Sequence, residues 1–139
     1  MNHFRLATPQ DIDGLIEIDS IKTHERALKI AQWVADKNCY LIEQETQIYA
    51  YTVLHYHFFD FGFIEMLMVN KQFRRLGLGI ELINQLKLIC TTSKLFTSTN
   101  QSNTAMQALL NHTQFLASGV IENLDYDDPE LIYVCKLID

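Results

Sequence analysis

Arg74, Gly77 and Gly79 have the residue types and the spacing of a turn that binds phosphate. They lie within Phe73-Arg74-Arg75-Leu76-Gly77-Leu78-Gly79, between an apolar strand and an amphipathic helix. A strand that passes through glycines into a helix leaves backbone N–H groups unpaired at the helix N-terminus, where anions bind. Glycine lets the backbone approach a phosphate closely or adopt positive φ, and arginine adds charge-assisted hydrogen bonds. This segment, the glycine turn, predicts a pyrophosphate site and a nucleotide-type cofactor.

Two other phosphate-binding motifs do not fit the glycine turn. A P-loop that began at Gly77 would need glycine and lysine where Leu82 and Ile83 stand. The dinucleotide fingerprint would need a third glycine at the position of Leu82, and a parallel βαβ unit early in the fold. A plain strand-to-helix turn that happens to contain glycines is the remaining alternative.

Positive charge is concentrated around the glycine turn. The chain of 139 residues has a formal charge of -6, with 17 acidic and 11 basic residues, which argues against a nucleic-acid surface. Residues 70–94 nevertheless hold five basic residues and one acidic residue, whereas residues 120–139 hold six acidic and one basic. The basic segment is where a polyanionic ligand would bind.

The elements that must position the turn can be predicted from hydrophobic periodicity and capping residues. The predicted strands cover residues 3–6, 39–43, 47–59, 61–69, 95–99, 115–122 and 130–137. A first helix is predicted to begin near Thr8, and three more cover about 25–36, 78–92 and 103–111. We expect Leu28, Ala31 and Val34 on the buried side of the second helix, and Tyr49, Tyr51, Phe58 and Phe59 in the core or a pocket wall. No linker divides this order, so a single domain over residues 1–139 is predicted.

Cysteine usage and hydropathy indicate the class of protein. Cys39, Cys90 and Cys135 lack paired spacing, which favours buried thiols over disulfides or a zinc site. No segment approaches the ~20 apolar residues of a membrane span, and the N-terminus lacks a signal pattern. A cytoplasmic location without membrane association is predicted.

The glycine turn and its neighbours resemble the GNAT family of acyl-CoA-dependent N-acetyltransferases. The family signature Gln/Arg-x-x-Gly-x-Gly/Ala is met by Arg74, Gly77 and Gly79, the preceding "MLMVNKQF" looks like the family's strand and linker, and residues 95–114 resemble its next strand and helix. The resemblance implies an α/β GNAT acyl-CoA N-acyltransferase fold, with a mixed, largely antiparallel twisted sheet flanked by helices. It also implies that acetyl-CoA is the cosubstrate.

In that family the amides of the turn hold the CoA pyrophosphate, and the preceding strand bonds the pantetheine amides through exposed backbone. An asparagine often contacts the pantetheine arm as well. The cofactor-binding residues that the resemblance implies are Leu67, Met68, Val69, Arg74, Arg75, Leu76, Gly77, Leu78, Gly79, Ile80 and Asn103.

Glu65 is the candidate catalytic base. It is the only charged residue in Phe63–Val69, and strand alternation puts it on one face with Phe63, Leu67 and Val69. Burial there would favour its protonated form and tune it to accept a proton from an amine, through water. The alternatives are a glutamate that faces solvent and a structural ion pair.

The usual proton donor of the family is missing. Many members carry a pattern that ends Tyr-x-x-x-Gly-Phe, whereas this chain reads Leu110-Asn111-His112-Thr113-Gln114-Phe115. CoA then leaves as the thiolate or takes a proton from water, or Tyr126 or His112 donates one. A protein that binds acyl-CoA without efficient catalysis is a further alternative.

Two other clusters contain residue types that could take part in chemistry. His55 and His57 lie near Asp60 at a spacing that could hold a metal, but a wet sheet face or a substrate pocket is favoured, and no metal is predicted. Asp125-Tyr126-Asp127-Asp128 reads as a solvated hairpin loop. In the family this loop often borders the acceptor site, which would imply a cationic acceptor.

Together these features predict an acetyltransferase acting on a primary amine of a small molecule, by direct attack in a ternary complex. The leading alternative is a catalytically weak acyl-CoA-binding or sensing module. A non-enzymatic interaction domain without a nucleotide is the third. The sequence leaves a homodimer open.

Overall fold

The computed structural model describes residues 1–138, and these contain a mixed sheet with helices. Within them, seven strands hydrogen-bond in the order β1-β2-β3-β4-β5-β7-β6. The strands are β1 (His3–Leu6), β2 (Cys39–Gln44), β3 (Gln47–Phe58), β4 (Phe61–Val69), β5 (Lys94–Asn100), β6 (Leu116–Ile121) and β7 (Glu130–Lys136). The helices are α1 (Ile12–Ile18), α2 (His24–Ala35), α3 (Leu78–Ile89) and α4 (Thr104–His112), with 3₁₀ turns at Pro9–Asp11 and Lys71–Phe73. The predicted α/β fold and order of elements are confirmed, with ends that shift by a few residues.

Local sequence explains where the helices begin. Thr8 and Asp11 form a capping box around the 3₁₀ turn that leads into α1, with Pro9 at its first position. Thr23 caps α2, because its side chain accepts a hydrogen bond from the backbone N–H of Arg26. Asn103 caps α4 in the same way, accepting from the N–H of Met106.

Two compact units can be distinguished, and the first consists of residues 1–54 and 66–85. In it, β1 pairs antiparallel with β2, and β2 with β3. One core cluster contains α1, α2 and side chains of β2 and β3, with Met66 and Met68 packed against it. A second cluster joins Leu78 and Leu82 of α3 to Ile42 and Ala50 of the strands.

The second unit consists of residues 55–65 and 86–138. Here β4 pairs in parallel with β5 from Gly62–Leu95 to Ile64–Thr97. β7 lies antiparallel to both β5 and β6. Aromatic rings stack along this part of the sheet, with Phe58 within 5.0 Å of Phe63 and Phe96.

The predicted burial of Leu28 and of Phe59 is wrong. Leu28 is 59% exposed, and the buried residues of α2 are Ile30, Trp33 and Val34. Phe59 is 82% exposed because it occupies the two-residue β3–β4 turn, where it and Asp60 both have positive φ.

The thiols are mostly buried, as predicted. Cys39 and Cys135 are buried, whereas Cys90, just after α3, is partly exposed. Burial raises the pKa of the Cys39 thiol to about 12, so it stays protonated. None of the helices in the described part of the chain is long and apolar enough to cross a membrane.

Two ion-pair networks stabilise the first unit. Arg5 forms hydrogen bonds with both Asp11 and Glu43, and these bonds lower the pKa of each carboxyl, that of Asp11 to about 2. The carboxylate of Asp19 is fully buried, and it accepts hydrogen bonds from Arg26 at 2.9 Å and from the hydroxyl of Tyr51.

Candidate active site

The strand end before the glycine turn is held by side-chain and backbone contacts. The N–H of Asn70 donates to the carbonyl of Tyr49 at 2.8 Å, and its side-chain oxygen caps the 3₁₀ turn by accepting from the N–H of Gln72. The ring of Phe73 stacks on Tyr49 with centroids 3.9 Å apart. The chain therefore leaves β4 along a fixed path.

The backbone of the glycine turn has the features that an anion site needs. Arg75 has φ +67° and Gly77 has φ +76°, and the carbonyl of Gly77 accepts the first helical hydrogen bond, from the N–H of Glu81. Residues 78–80 thus form the first turn of α3, and their backbone N–H groups have no acceptor within the helix. With the helix dipole they present partial positive charge to one point. Arg74 and Arg75 are exposed beside them.

One apolar cluster fixes the turn against the strand that precedes it. Leu78 is buried and packs with Leu82, and Leu67 and Val69 of β4 pack against the same cluster. The buried side chain of Leu78 anchors the first turn of α3, and its backbone N–H is one of the groups at the start of that helix. This packing brings together two segments that the sequence predicted to contact one cofactor, residues 67–69 and 74–80.

The three predicted pantetheine contacts lie on a distinct part of β4. Leu67, Met68 and Val69 are half-buried, and they follow Ile64, the last β4 residue of the parallel ladder with β5. Thr52 of β3 donates its hydroxyl to the carbonyl of Met66 at 2.7 Å. The backbone of residues 67–69 is therefore positioned by its neighbours within the first unit.

The structure places Glu65 at the surface, so the predicted burial is wrong. Its side chain is 32% exposed, and its Oε1 lies 3.7 Å from Nε2 of His55. The prediction grouped Glu65 with Leu67 and Val69 on one face. The side chains of Leu67 and Val69 pack with α3, whereas Glu65 lies beside His55 of β3. Spacing within β4 alone could not show that histidine.

The remaining predicted residues lie in the second unit. Asn103 is exposed, and its side-chain oxygen is used as the cap of α4. Leu110, at the position of the family tyrosine, is fully buried. Tyr126 and His112, the other candidate donors, are both exposed.

The acidic loop between β6 and β7 lines a cavity of about 400 Å³. Asp128 holds the loop in place by accepting hydrogen bonds from the N–H and the hydroxyl of Ser102, and Asp125 accepts one from Asn100. The residues that line the cavity are Glu122, Asn123, Asp125, Tyr126, Asp127, Asp128 and Pro129. The loop is thus a structured acidic surface.

A second cavity, of about 520 Å³, was not predicted. It lies in the first unit, between the end of α1 and the 3₁₀ turn before the glycine turn. Its lining includes Asp19, Lys71 and Arg74. No sequence signal identifies it, because its walls come from three separate segments of the chain, residues 17–22, Gln47 and residues 70–74.

Comparisons with known proteins identify the family. The chain matches the acetyltransferase (GNAT) family over residues 9–114. It is 32% identical to a GNAT-family acetyltransferase from Bacillus cereus, with a TM-score of 0.90, over 98% of this chain and 97% of that one. A search of curated protein sequences gives no match.

More distant structures share the fold. The ribosomal-protein alanine N-acetyltransferase of Escherichia coli is 17% identical, with a TM-score of 0.76 over 100% of this chain and 96% of that one. A protein of Bacillus anthracis assigned as a streptothricin acetyltransferase, in complex with acetyl coenzyme A, is 22% identical, with a TM-score of 0.65 over 70% of this chain and 61% of that one. The family match and the 32% identity to the Bacillus cereus protein show that the chain belongs to the acetyltransferase (GNAT) family and is an acyl-CoA-dependent N-acetyltransferase with acetyl-CoA as its cosubstrate.

Proposed function

We propose that residues 1–139 act as one N-acetyltransferase domain, which transfers an acetyl group from acetyl-CoA to a primary amine of a small cationic molecule. The observation that carries this proposal is the glycine turn, where Gly77 has φ +76° and α3 begins at Leu78. The turn supplies amides for the pyrophosphate, and Arg74 and Arg75 add positive charge. A cytoplasmic location is part of the proposal and rests on the sequence.

In the proposed reaction the amine attacks the thioester directly in a ternary complex. The nitrogen forms a bond to the carbonyl carbon, and its proton passes to the carboxylate of Glu65, directly or through water. The tetrahedral oxyanion then collapses, the carbon–sulfur bond breaks, and CoA leaves as the thiolate. Leu110 carries no proton to donate, so water protonates the thiolate in this scheme.

The acidic loop supports a cationic acceptor. Asp125 and Asp128 are held by hydrogen bonds, and Asp127 lines the same cavity. Carboxylates gathered around a cavity favour a positively charged ligand and disfavour an anionic one. We therefore propose that a polyamine or a basic amino compound is acetylated in preference to a neutral amine.

The test is free-thiol release from acetyl-CoA across a panel of polyamines, basic amino acids and neutral amines, with mass spectrometry of the acetylated product. We expect release with cationic amines and none without an amine. Asp127→Asn should raise KM for a cationic amine about threefold and leave a neutral amine unaffected. Glu45→Gln, the same charge change at the exposed β2–β3 turn, is the matched control.

The second candidate function is a weakly catalytic acyl-CoA-binding module. Leu110 favours it, because this residue stands at the position of the family's proton-donating tyrosine. Thermal shift with acetyl-CoA, CoA and NAD tests binding separately from turnover. Stabilisation by both CoA species, together with no thiol release for any amine, would replace the enzymatic proposal with the binding module. No stabilisation by either CoA species would reject both functions.

A further inference from the structure

His55 on β3 lies against Glu65 on β4, and its ring is held in one orientation. It stacks between His57, with centroids 5.5 Å apart and planes at 24°, and Phe63, at 5.4 Å and 26°. The side chain is only 18% exposed. Two flat neighbours and partial burial leave the imidazole little freedom to rotate.

The hydrogen bond at the other ring nitrogen fixes the tautomer of His55. The backbone N–H of His57 donates to Nδ1 of His55 at 3.0 Å, so Nδ1 is an acceptor and carries no proton. In the neutral ring the proton must then be on Nε2, the atom 3.7 Å from Oε1 of Glu65. His55 therefore presents a donor N–H to the carboxylate.

The environment also keeps His55 neutral. Burial lowers the pKa of His55, and His57 lowers it further, while the negative charge of Glu65 acts in the opposite direction. A protonated ring would also place a hydrogen on Nδ1, against the N–H of His57. Both effects favour the neutral Nε2–H form at neutral pH.

We propose that His55 is a positioning residue for the reaction, which orients the carboxylate of Glu65 and holds it ready to accept the proton of the attacking amine. The proposal rests on the proposed function of Glu65 as the base. His55 keeps its own proton throughout: the N–H bond of the amine breaks, an O–H bond forms on Glu65, and the imidazole changes only the strength of its contact. His57 contributes its backbone N–H as the donor to Nδ1 and its ring as one of the two stacking neighbours.

The test compares single and double variants in the thiol-release assay. His55→Leu removes the donor, and we expect kcat to fall about tenfold, with KM for acetyl-CoA unchanged. His55→Gln restores an N–H donor and should recover most of that loss. His24→Gln, the same change at an exposed histidine of α2, is the matched control, and it should retain wild-type kcat.

The double variant distinguishes positioning from a general structural role. If His55 acts through Glu65, His55→Leu combined with Glu65→Gln should have the same kcat as Glu65→Gln alone. Losses that multiply in the double variant would overturn the proposal. The proposal would also be overturned if His55→Leu had wild-type kcat while Glu65→Gln had a reduced kcat. That outcome would leave the proposed function intact. Unchanged turnover in Glu65→Gln rejects the proposed base, and the positioning role with it.

The pH dependence provides a readout that a structural role would not move. The titratable groups that act on His55 are Glu65 and His57. As pH falls, protonation of His55 releases Nδ1 from His57 and pairs the imidazolium with Glu65, so kcat/KM should fall more steeply in the wild type than in His55→Gln. Identical acidic limbs would contradict the proposal. If His55→Leu fails to fold, His55→Asn, whose amide is too short to reach Glu65, provides the same comparison.

Discussion

Replacing Gly77 with alanine adds one methyl group to the glycine turn at a residue whose φ is +76°. A Cβ built there meets no atom within 4 Å, so steric clash is excluded and only the backbone conformation carries a cost. An L-residue in the left-handed region costs about 1–2 kcal/mol relative to glycine. That cost must appear either in folding or in cofactor binding.

The two possibilities are distinguished by which quantity changes, the free energy of unfolding or the affinity for CoA. If the turn keeps its conformation, the free energy of unfolding falls by about 1 kcal/mol and the affinity for CoA is unchanged. If the turn relaxes, the amides of α3 no longer converge and the affinity for CoA falls about fivefold, which is the same energy. We expect the combined loss from denaturant unfolding and calorimetric CoA titration to be about 1–2 kcal/mol.

Two other glycines serve as controls. Gly119 in β6 also has open space around its Cβ, but its φ lies outside the left-handed region, so Gly119→Ala should not lower the stability and should leave the affinity for CoA unchanged. Gly79 lies in the first turn of α3. Gly79→Ala should stabilise the helix by about 0.5–1 kcal/mol, and we expect it to weaken CoA binding because in the proposed site the backbone of residue 79 lies against the pyrophosphate. Our account of the turn is refuted if Gly77→Ala has wild-type stability and wild-type CoA affinity.

Three further predictions concern stability, measured by denaturant unfolding. Gly62→Ala would place its Cβ 2.6 Å from Sγ of Cys90, so we expect a loss of about 1–3 kcal/mol that Cys90→Ala partly restores; equal losses in both backgrounds would exclude that clash. Arg26→Met leaves the buried carboxylate of Asp19 without its cation and should cost about 3 kcal/mol, and a cost below about 1 kcal/mol would contradict this. Arg5→Met should be less stable than the wild type by about 1 kcal/mol at neutral pH. Because Arg5 lowers the pKa of both carboxyl partners, this difference in stability should be present above their ordinary pKa values of 3.8 and 4.5 and disappear as the pH falls towards 2. A difference in stability that does not depend on pH would argue against the ion pairs.

The order of elements could be predicted because local signals agree with the tertiary structure. Thr8, Pro9 and Asp11 mark the start of the first helical segment, and the apolar residues of α3 recur at helical spacing. The glycine turn is also local, since seven consecutive residues contain the whole motif. Its identification therefore required no knowledge of packing.

Burial on α2 could not be chosen from apolar residues alone. Leu28 and Ile30 are both apolar, yet at about 100° per residue they point to nearly opposite sides of the helix. The sheet buries the side that contains Ile30, Trp33 and Val34, and Leu28 is left exposed.

The neighbour of Glu65 depends on strand register, which the sequence does not show. A shift by one residue would exchange every side chain on β3 between the two faces of the sheet. Sequence spacing alone therefore makes His55 and His57 candidate metal ligands, although the structure places Nε2 of His55 next to a carboxylate.

The most direct test of the account is a comparison of turnover and cofactor affinity in Glu65→Gln. This change removes the negative charge that accepts the amine proton and keeps the size of the side chain. We predict that turnover falls more than tenfold, while the dissociation constant for acetyl-CoA, measured on the same preparation, changes little because the cofactor is held by the glycine turn. Unchanged turnover in this variant would contradict the assignment of Glu65 as the base.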